Sequence, residues 1–316
     1  MVSVNQRALA IVQEMVDDAD ALELAVSRLD NGTTVVDAGI QVPGSLEAGR
    51  LFAQVCLGGL GTVEFCQLPF ADFWLPGVTV TVSHPVVACM ASQYAGWAVK
   101  AHGFLAMGSG PARALYAGEP LFEGLTYRDQ ADVAVLALEG RDLPPVEAAD
   151  KIAHKCGVSP KQLYLLIAPT ASLVGSVQVA ARVVETGLHK MHEVGYDIDT
   201  VLSGLGTCPL ASIANKDLRA IGRTNDAVLY GGRAWYTVQA EDEQMEALIE
   251  RLPSSASHDY GTLFYDLFKR YDGDFYKIDP LLFSPAEVCL NNVTSGHTFC
   301  AGAVNPDLLR ESLLRS

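Results

Sequence analysis

The sequence predicts an α/β fold with α+β elements in its C-terminal third, and three observations favour this class. Apolar residues make up 49% of the 316 positions, enough to bury a large core. Charged residues reach only 19%, while 28 glycines suit buried strands joined by tight turns. Strand-like and helix-like segments also alternate along much of the chain. The length suits one large domain or two smaller ones, and no linker sequence marks a boundary.

Capping residues and hydrophobic periodicity predict the individual elements. Ser3 can cap a first helix, and Ser45 opens a second helix that runs toward Cys56. Between them, Asp30-Asn31-Gly32 predicts a hairpin that joins strands 25–29 and 33–38. Further strands are expected at 62–67, 78–82, 132–138 and 163–167, and further helices at 85–100, 145–156, 172–192, 241–251 and 262–271. A hairpin of strands 286–292 and 297–301 and a helix opened by Pro306 complete the expected elements.

Charge and cysteine usage limit the partners and the compartment. A net charge of −15 without any basic run argues against a nucleic-acid-binding surface. The seven cysteines are widely spaced without a Cys-x-x-Cys pair, which predicts reduced and mostly buried thiols. Two long uncharged windows, 73–99 and 162–181, are interrupted by proline and glycine, so neither is expected to span a membrane. No secretory signal is visible at the amino terminus, and we expect a cytoplasmic protein.

The stretch 176–193 is the most informative part of the chain. At 100° per residue, one narrow arc of the predicted helix holds five polar side chains: Gln178, Arg182, Glu185, His189 and His192. They could form an acid–base array that faces a cleft, with Arg182 keeping the Glu185 carboxylate ionised. Periodicity alone favours the alternative, in which they form an ordinary solvated helix face. A helical histidine pair is weak support for a metal, and we expect none.

A second candidate is Gly108-Ser109-Gly110, which leads through Pro111 to Arg113. Free N–H groups at a helix start bind anions, and Arg113 would add positive charge, so this segment could hold a phosphate. An ordinary glycine turn is about equally compatible. A nicotinamide-dependent oxidoreductase is the alternative enzyme class, but the third glycine of its fingerprint is missing. The acidic residue expected about 20 residues later is matched only loosely by Glu123 or Asp129.

Several segments occur in a characteristic order along the chain. They are DNG at 30–32, ASQYAGW at 91–97, GSGPAR at 108–113, RVVETG at 182–187, NDAVLYGG at 225–232 and FYKIDPLLFSPA at 275–286. Together they resemble the methenyltetrahydromethanopterin cyclohydrolase family of methanogenic archaea and of bacteria that oxidise one-carbon compounds. The resemblance runs from end to end, which makes it more specific than any one segment.

The resemblance implies a subunit of two side-by-side α/β parts with a deep pocket between them, assembled as a homotrimer. It implies that Glu185 is the acid–base residue and that Arg182 supports it. Substrate contacts are expected from Gln178, His189, Gln93, Tyr94, Gly108, Ser109, Gly110 and Arg113. The loop 254–260 departs from the family pattern, so no ligand contact is carried over to it.

The implied reaction is the reversible hydrolysis of N5,N10-methenyltetrahydromethanopterin to the N5-formyl derivative. One base and one proton donor are enough for this chemistry, so neither a metal nor a redox cofactor is expected. The expected partner is a small-molecule pterin. A carrier that binds a pterin or a phosphate ligand without turnover is the remaining alternative.

Overall fold

The computed structural model describes residues 2–70, 72–273 and 277–314, which fall into two compact units. The first unit comprises Met1–Gly61 and Val87–Gln178, and the second comprises Thr62–Val86 and Val179–Ser316. Within the described residues, the strands form two six-stranded sheets, one in each unit. The predicted α/β class is confirmed. Phe275 and Tyr276, which open the resembling segment 275–286, lie outside the described residues.

Strands and helices alternate through most of the chain. The strands are β1 (Ala25–Arg28), β2 (Thr34–Asp37), β3 (Gly61–Phe70), β4 (Phe73–Val82), β5 (Trp97–Ala101), β6 (Phe104–Ser109), β7 (Ala134–Glu139), β8 (Leu163–Ala168), β9 (Val201–Pro209), β10 (Arg233–Val238), β11 (Glu287–Asn292) and β12 (Thr298–Gly302). The α-helices are α1 (Val4–Asp17), α2 (Leu46–Cys56), α3 (Ala112–Tyr116), α4 (Val146–Cys156), α5 (Leu173–Ala180), α6 (Val183–Glu193), α7 (Asp217–Gly231), α8 (Asp242–Ile249), α9 (Phe264–Arg270) and α10 (Pro306–Leu314). A π-helix covers Val86–Gln93. Among the described residues, none of the helices has the length and apolar character needed to cross a bilayer.

The first unit is a sheet with helices on both faces. Its strand order is β1-β2-β8-β7-β6-β5, and β2, β8 and β7 run parallel to one another. Helices α1 and α2 cover one face, where Val12 and Phe52 join a buried cluster with Val36. Helix α4 covers the other face, where Ile152 packs in a second buried cluster with Leu165. Burying both faces explains why the parallel strands read as continuous apolar runs.

The second unit is a mixed sheet in the order β12-β11-β10-β9-β4-β3. Strands β10 and β11 are parallel, whereas β9 is antiparallel to both β10 and β4. Helix α6 packs against β9, β10 and β4, and α8 packs against β11 and β12. Tyr236 of β10 is fully buried on the side of α6. On the opposite side, the adjacent pair Leu205 and Trp235 is 45% and 42% exposed.

The predicted helix starts and the first hairpin are confirmed. The Ser3 hydroxyl accepts a hydrogen bond from the Gln6 amide at the start of α1, and the Ser45 hydroxyl accepts one from the Ala48 amide at the start of α2. Strands β1 and β2 pair as an antiparallel hairpin. Its turn is the predicted three-residue segment 30–32, in which Gly32 takes a φ of +91°.

The helix predicted over 85–100 is wrong beyond residue 93. The π-helix ends at Gln93, where the Tyr94 amide donates to the Cys89 carbonyl five residues earlier at 2.7 Å. The chain then forms β5, which pairs antiparallel with β6. Trp97 and Val99 face a buried cluster, while the alternating residues Ala98 and Lys100 are exposed. Sheet pairing therefore outweighs the helical pattern of this segment.

The single helix predicted over 172–192 is also wrong, because α5 and α6 are separate helices. The Arg182 amide donates to the Val179 carbonyl, three residues earlier, at 3.0 Å, and Arg182 has a ψ of 1°. Neither proline nor glycine marks this break in the sequence. As a consequence, Gln178 lies on α5 and Glu185 on α6, so no single helix carries all five polar residues of the predicted arc.

The expectation that all seven cysteines are thiols is wrong for one pair. Cys289 of β11 and Cys300 of β12 form a disulfide with a Cα–Cα distance of 4.2 Å. The two residues are direct partners in the antiparallel register, which no sequence spacing reveals. The other five cysteines, all within the described ranges, are free thiols, and most are buried as predicted.

Asp226 is a buried carboxylate that links three helices of the second unit. It is 1% exposed, accepts the Phe264 amide at the start of α9 at 2.8 Å, and accepts the Ser312 hydroxyl of α10 at 2.6 Å. Burial is the main cause that raises the pKa of Asp226 from 3.8 to about 7, and the nearby acids Asp266 and Glu311 add to it. The fold therefore favours the neutral form of this side chain.

This raised pKa predicts a pH-dependent stability. The stabilising contribution of Asp226 is fully present below its unfolded-state pKa of 3.8 and is lost as the pH rises through its folded-state pKa of about 7. Asp226→Asn keeps a neutral side chain at every pH. We expect its free energy of unfolding, relative to the unaltered protein, to rise between about pH 4 and 7 by about 1.4 kcal/mol per unit and then to level off. Urea unfolding across this range measures it, and a pH-independent difference would contradict it.

Candidate active site

The two catalytic candidates occupy one turn at the start of α6. Arg182 is the residue that precedes the helix, and Glu185 lies in its first turn, where it is 6% exposed. The N–H groups of a first helical turn favour a carboxylate at this position. Thr186 fixes the backbone between them, because its amide and its hydroxyl both donate to the Arg182 carbonyl at 2.8 Å. The local geometry therefore holds Arg182 and Glu185 in a defined relation.

Two glycines allow α6 to pack close to its sheet. A Cβ atom on Gly187 would lie 2.2 Å from the Tyr236 hydroxyl oxygen, and a Cβ on Gly204 of β9 would lie 2.6 Å from Val184. The Tyr236 hydroxyl donates to the Val184 carbonyl at 2.7 Å. Glycine at both positions is thus required for this packing. The result is a rigid support for the turn that carries Glu185.

The later turns of α6 carry Lys190 and His189. Lys190 is 1% exposed and donates to the Leu281 carbonyl, and burial lowers its pKa to about 8. Burial also lowers the pKa of His189, although Glu193, 3.6 Å away, opposes this effect. A neutral imidazole is therefore favoured near neutral pH. Throughout the described part of the chain, no group of three or more His, Cys, Asp or Glu side chains is arranged to hold a metal ion.

Gln178 lies on α5 in the first unit, and its side chain contacts the end of β7. Its side-chain amide donates to Glu139 Oε2 at 2.9 Å, and the Thr170 hydroxyl donates to Glu139 Oε1 at 2.5 Å. Glu139 is the last residue of β7, at the carboxyl edge of the parallel strands, which is where open α/β sheets bind ligands. The sequence reasoning missed Glu139. Its signal was a lone carboxylate that ends a buried apolar strand.

Gln93 and Tyr94 lie at the carboxyl end of the π-helix. Gln93 is fully buried, and its backbone carbonyl accepts the Ser109 hydroxyl at 2.5 Å. The Tyr94 ring lies beside the Arg113 guanidinium, whose central carbon is 5.1 Å from the ring centre. Single π-turns are rare and occur frequently at functional sites. This position supports their predicted role without assigning it.

In the segment 108–113, where the sequence suggests an anion site, several polar groups have partners within the first unit. Gly108 and Ser109 belong to β6, and the Gly110 amide donates to the Ser92 carbonyl at 2.8 Å. Arg113 is fully buried and is paired with Glu119. These groups therefore have a structural role inside the first unit. The sequence could not reveal this, since a glycine turn before an arginine fits both roles.

The structural context of a dinucleotide fingerprint is also missing from this segment. Strand β6 pairs antiparallel with β7, and the helix that follows it, α3, covers only Ala112–Tyr116. Asp129, one loose candidate for the ribose contact, instead accepts the Ser3 hydroxyl at 3.0 Å and the Asn5 amide at 2.9 Å. Asp129 thus stabilises the start of α1.

Comparison with known proteins identifies the family. The family described as Cyclohydrolase (MCH) matches residues 3–313. A methenyltetrahydromethanopterin cyclohydrolase of Methanothermobacter marburgensis is 47% identical over 319 residues, covering 99% of this chain and 99% of that protein. The enzyme of the same name from Methanocaldococcus jannaschii is 47% identical, covering 99% of this chain and 98% of that protein. The one from Methylobacillus flagellatus is 46% identical, covering 98% of this chain and 95% of that protein. The chain therefore belongs to the cyclohydrolase (MCH) family.

Proposed function

We propose that this protein hydrolyses N5,N10-methenyltetrahydromethanopterin to N5-formyltetrahydromethanopterin, with Glu185 as the acid–base residue. The observation that carries the proposal is the match over residues 3–313 to a family whose members bear this activity in their names. The burial of Glu185 in the first turn of a rigidly supported helix agrees with it. The reaction is reversible, so the same site serves either physiological direction.

The first step is the attack of water on the methenyl carbon. This carbon lies between two nitrogens of a delocalised cation, so it accepts the oxygen readily. Glu185 removes one proton from the attacking water as the carbon–oxygen bond forms, which gives a neutral hydroxyl adduct. A positioned base of this kind contributes about 10²- to 10⁴-fold. The ionised carboxylate also attracts the cationic ring before the attack.

The second step breaks the bond between the former methenyl carbon and N10. Glu185 returns its proton to N10, which takes the bonding electron pair as it leaves. The hydroxyl group of the adduct loses its proton to solvent and becomes the formyl oxygen, so one proton is released overall. Arg182, three residues before Glu185, holds the carboxylate in position. The proposed steps use neither a metal nor a redox cofactor.

Substrate binding is proposed for four of the side chains that the family resemblance indicates. On α6 we assign His189, whose lowered pKa favours a neutral imidazole that can donate or accept a hydrogen bond. In the first unit we assign Gln178, Gln93 and Tyr94. The segment 108–113, which the sequence suggested as a direct ligand, is left out of this set because its polar groups are engaged within the unit.

Loss of the methenyl chromophore measures the proposed activity directly. The purified protein is mixed with methenyltetrahydromethanopterin, and in parallel with methenyltetrahydrofolate, while the absorbance is followed. We expect saturable loss of the chromophore with the methanopterin substrate, faster than the uncatalysed reaction. Binding without loss would identify a carrier, and a requirement for a nicotinamide would identify an oxidoreductase. Equal rates with both substrates would show that the site does not distinguish the two pterins.

We also propose that the protein assembles as a homotrimer. The open face of the second sheet supports self-association, because the neighbouring side chains Leu205 and Trp235 are both more than 40% exposed. Light scattering of the purified protein should give three times the mass of the 33.8 kDa chain. Trp235→Glu, which places a charge on this face, should lower that mass. A trimer that persists in this variant would move the interface elsewhere, and a monomeric unaltered protein would contradict self-association.

A further inference from the structure

A fully buried arginine caps the carbonyl end of the π-helix Val86–Gln93. One terminal nitrogen of Arg113 donates to the carbonyl oxygens of Met90 and Ser92, each at 3.0 Å. The last turn of a helix leaves its C=O groups without partners inside the helix, and a cation complements the negative end of the helix dipole. Arg113 therefore fixes the backbone directly before Gln93.

Glu119 holds this arginine in place. Its two carboxylate oxygens accept hydrogen bonds from Nε and Nη2 of Arg113, both at 2.8 Å. The side chains are 0% and 8% exposed. The planar guanidinium matches a carboxylate in this two-bond arrangement, which fixes orientation as well as distance. Because removal of one partner leaves an uncompensated buried charge, the two side chains act as one unit.

The pair also contacts the segment beyond the π-helix. The central carbon of the Arg113 guanidinium lies 5.1 Å from the centre of the Tyr94 ring. A Cβ atom on Gly96 would lie 1.9 Å from Glu119 Oε2, so the backbone approaches the carboxylate more closely than any side chain allows. The Arg113–Glu119 pair thus contacts the segment 90–96 at Met90 and Ser92, at Tyr94 and at Gly96.

Neighbouring groups of 108–113 complete the same cap. The Gly110 amide donates to the Ser92 carbonyl at 2.8 Å, and the Ser109 hydroxyl donates to the Gln93 carbonyl at 2.5 Å. Together with Arg113, these donors satisfy the carbonyls of Met90, Ser92 and Gln93. The segment that resembled an anion cradle in the sequence is therefore a scaffold for another segment.

We propose that Arg113 and Glu119 are positioning residues that hold the segment 90–96 so that Gln93 and Tyr94 are preorganised for the substrate. This inference rests on the proposed function, in which Gln93 and Tyr94 contact the pterin. The pair itself stays buried and does not touch the substrate. Preorganised contacts improve binding because less ordering is needed when the ligand arrives. Loss of the pair should therefore raise KM more than it lowers kcat.

Three variants separate positioning from stability. Glu119→Gln weakens the pair with little change of shape. The double variant Arg113→Met/Glu119→Met removes both charges, and replacing a buried ion pair by apolar residues often restores stability. Ile152→Val, in the core of the same unit, is the control that lowers stability without touching 90–96. We expect KM to rise about tenfold in the first two variants while kcat stays within about threefold, and neither to change in the control.

The backbone gives a second readout that needs no turnover. The Tyr94 amide, bonded to the Cys89 carbonyl, and the Gly110 amide, bonded to the Ser92 carbonyl, should exchange hydrogen faster in Glu119→Gln and in the double variant than in Ile152→Val. A double variant with normal KM and normal exchange at both amides would overturn the proposal. If the unaltered protein does not turn over the chromophore, the proposed function fails, and the exchange comparison still decides whether the pair positions this segment.

Discussion

Replacing Glu185 by Gln is expected to lower kcat by at least 10²-fold, within the 10²- to 10⁴-fold range for a lost acid–base group. The amide keeps the shape of the carboxylate but cannot take a proton from water at neutral pH. Because glutamine has almost the same size as glutamate, this substitution of a buried side chain in the first turn of α6 should leave the fold intact. Steady-state loss of the methenyl chromophore measures the effect.

Glu246→Gln provides the matched control for this change. Glu246 is an exposed glutamate on α8 of the same unit, so the variant carries the same chemical substitution away from the candidate site. Its kcat and melting temperature should equal those of the unaltered protein. An acid–base residue contributes at least about 10²-fold. If Glu185→Gln retained more than about a tenth of the normal kcat, the proposed mechanism would therefore be wrong, although the chain would still belong to the family.

Gly187→Ala should destabilise the protein by about 1–3 kcal/mol, the usual cost of overpacking a core. Helix propensity alone predicts the opposite sign, because alanine normally favours a helix over glycine by about 1 kcal/mol. The new methyl carbon would lie 2.2 Å from the Tyr236 hydroxyl oxygen, so α6 or Tyr236 must move. Since α6 carries Glu185, kcat should fall together with stability. Urea unfolding and the chromophore assay measure both effects.

A second substitution tests the cause of this loss. Tyr236→Phe removes the hydroxyl, after which the nearest ring carbon would lie 3.1 Å from the new methyl group. Alone, it should cost about 1 kcal/mol, because the hydrogen bond to the Val184 carbonyl is lost. Combined with Gly187→Ala, it should recover part of the lost stability. If the stability losses of the two single variants simply added in the double variant, the contact with the Tyr236 hydroxyl would not be the cause of the destabilisation by Gly187→Ala.

The sequence predicted the elements whose signals are local. The caps at Ser3 and Ser45, the first hairpin, the strand–helix–strand run from β7 to β8 and the final hairpin are all present. The failures depend on contacts between distant residues. Strand β5 exists because β6 pairs with it, and the helix break at Arg182 has no proline or glycine to signal it.

The same distinction between local signals and distant contacts applies to the residues of the candidate site. The family resemblance pointed to Glu185 and Arg182, and the structure places both on one turn of α6. It could not reveal that Glu119 occupies the Arg113 guanidinium, because that pairing follows from tertiary packing. The glycine at 204 in β9 was a usable signal, since a glycine inside a strand often marks a close approach by another element. Tyr236 emerged only from its contacts, and the position of Glu139 at the end of an apolar strand was a signal that the sequence reasoning did not use.

A single-turnover experiment tests the role of Glu185 most directly. The methenyl substrate is mixed with an excess of the unaltered protein or of Glu185→Gln, and the chromophore is followed while binding is measured by titration. We predict that both proteins bind the substrate at saturating protein, that the unaltered protein consumes the chromophore in one fast phase, and that the bound variant retains the chromophore at least 10²-fold longer. Loss of the chromophore at the same rate in both proteins would contradict the assignment of Glu185.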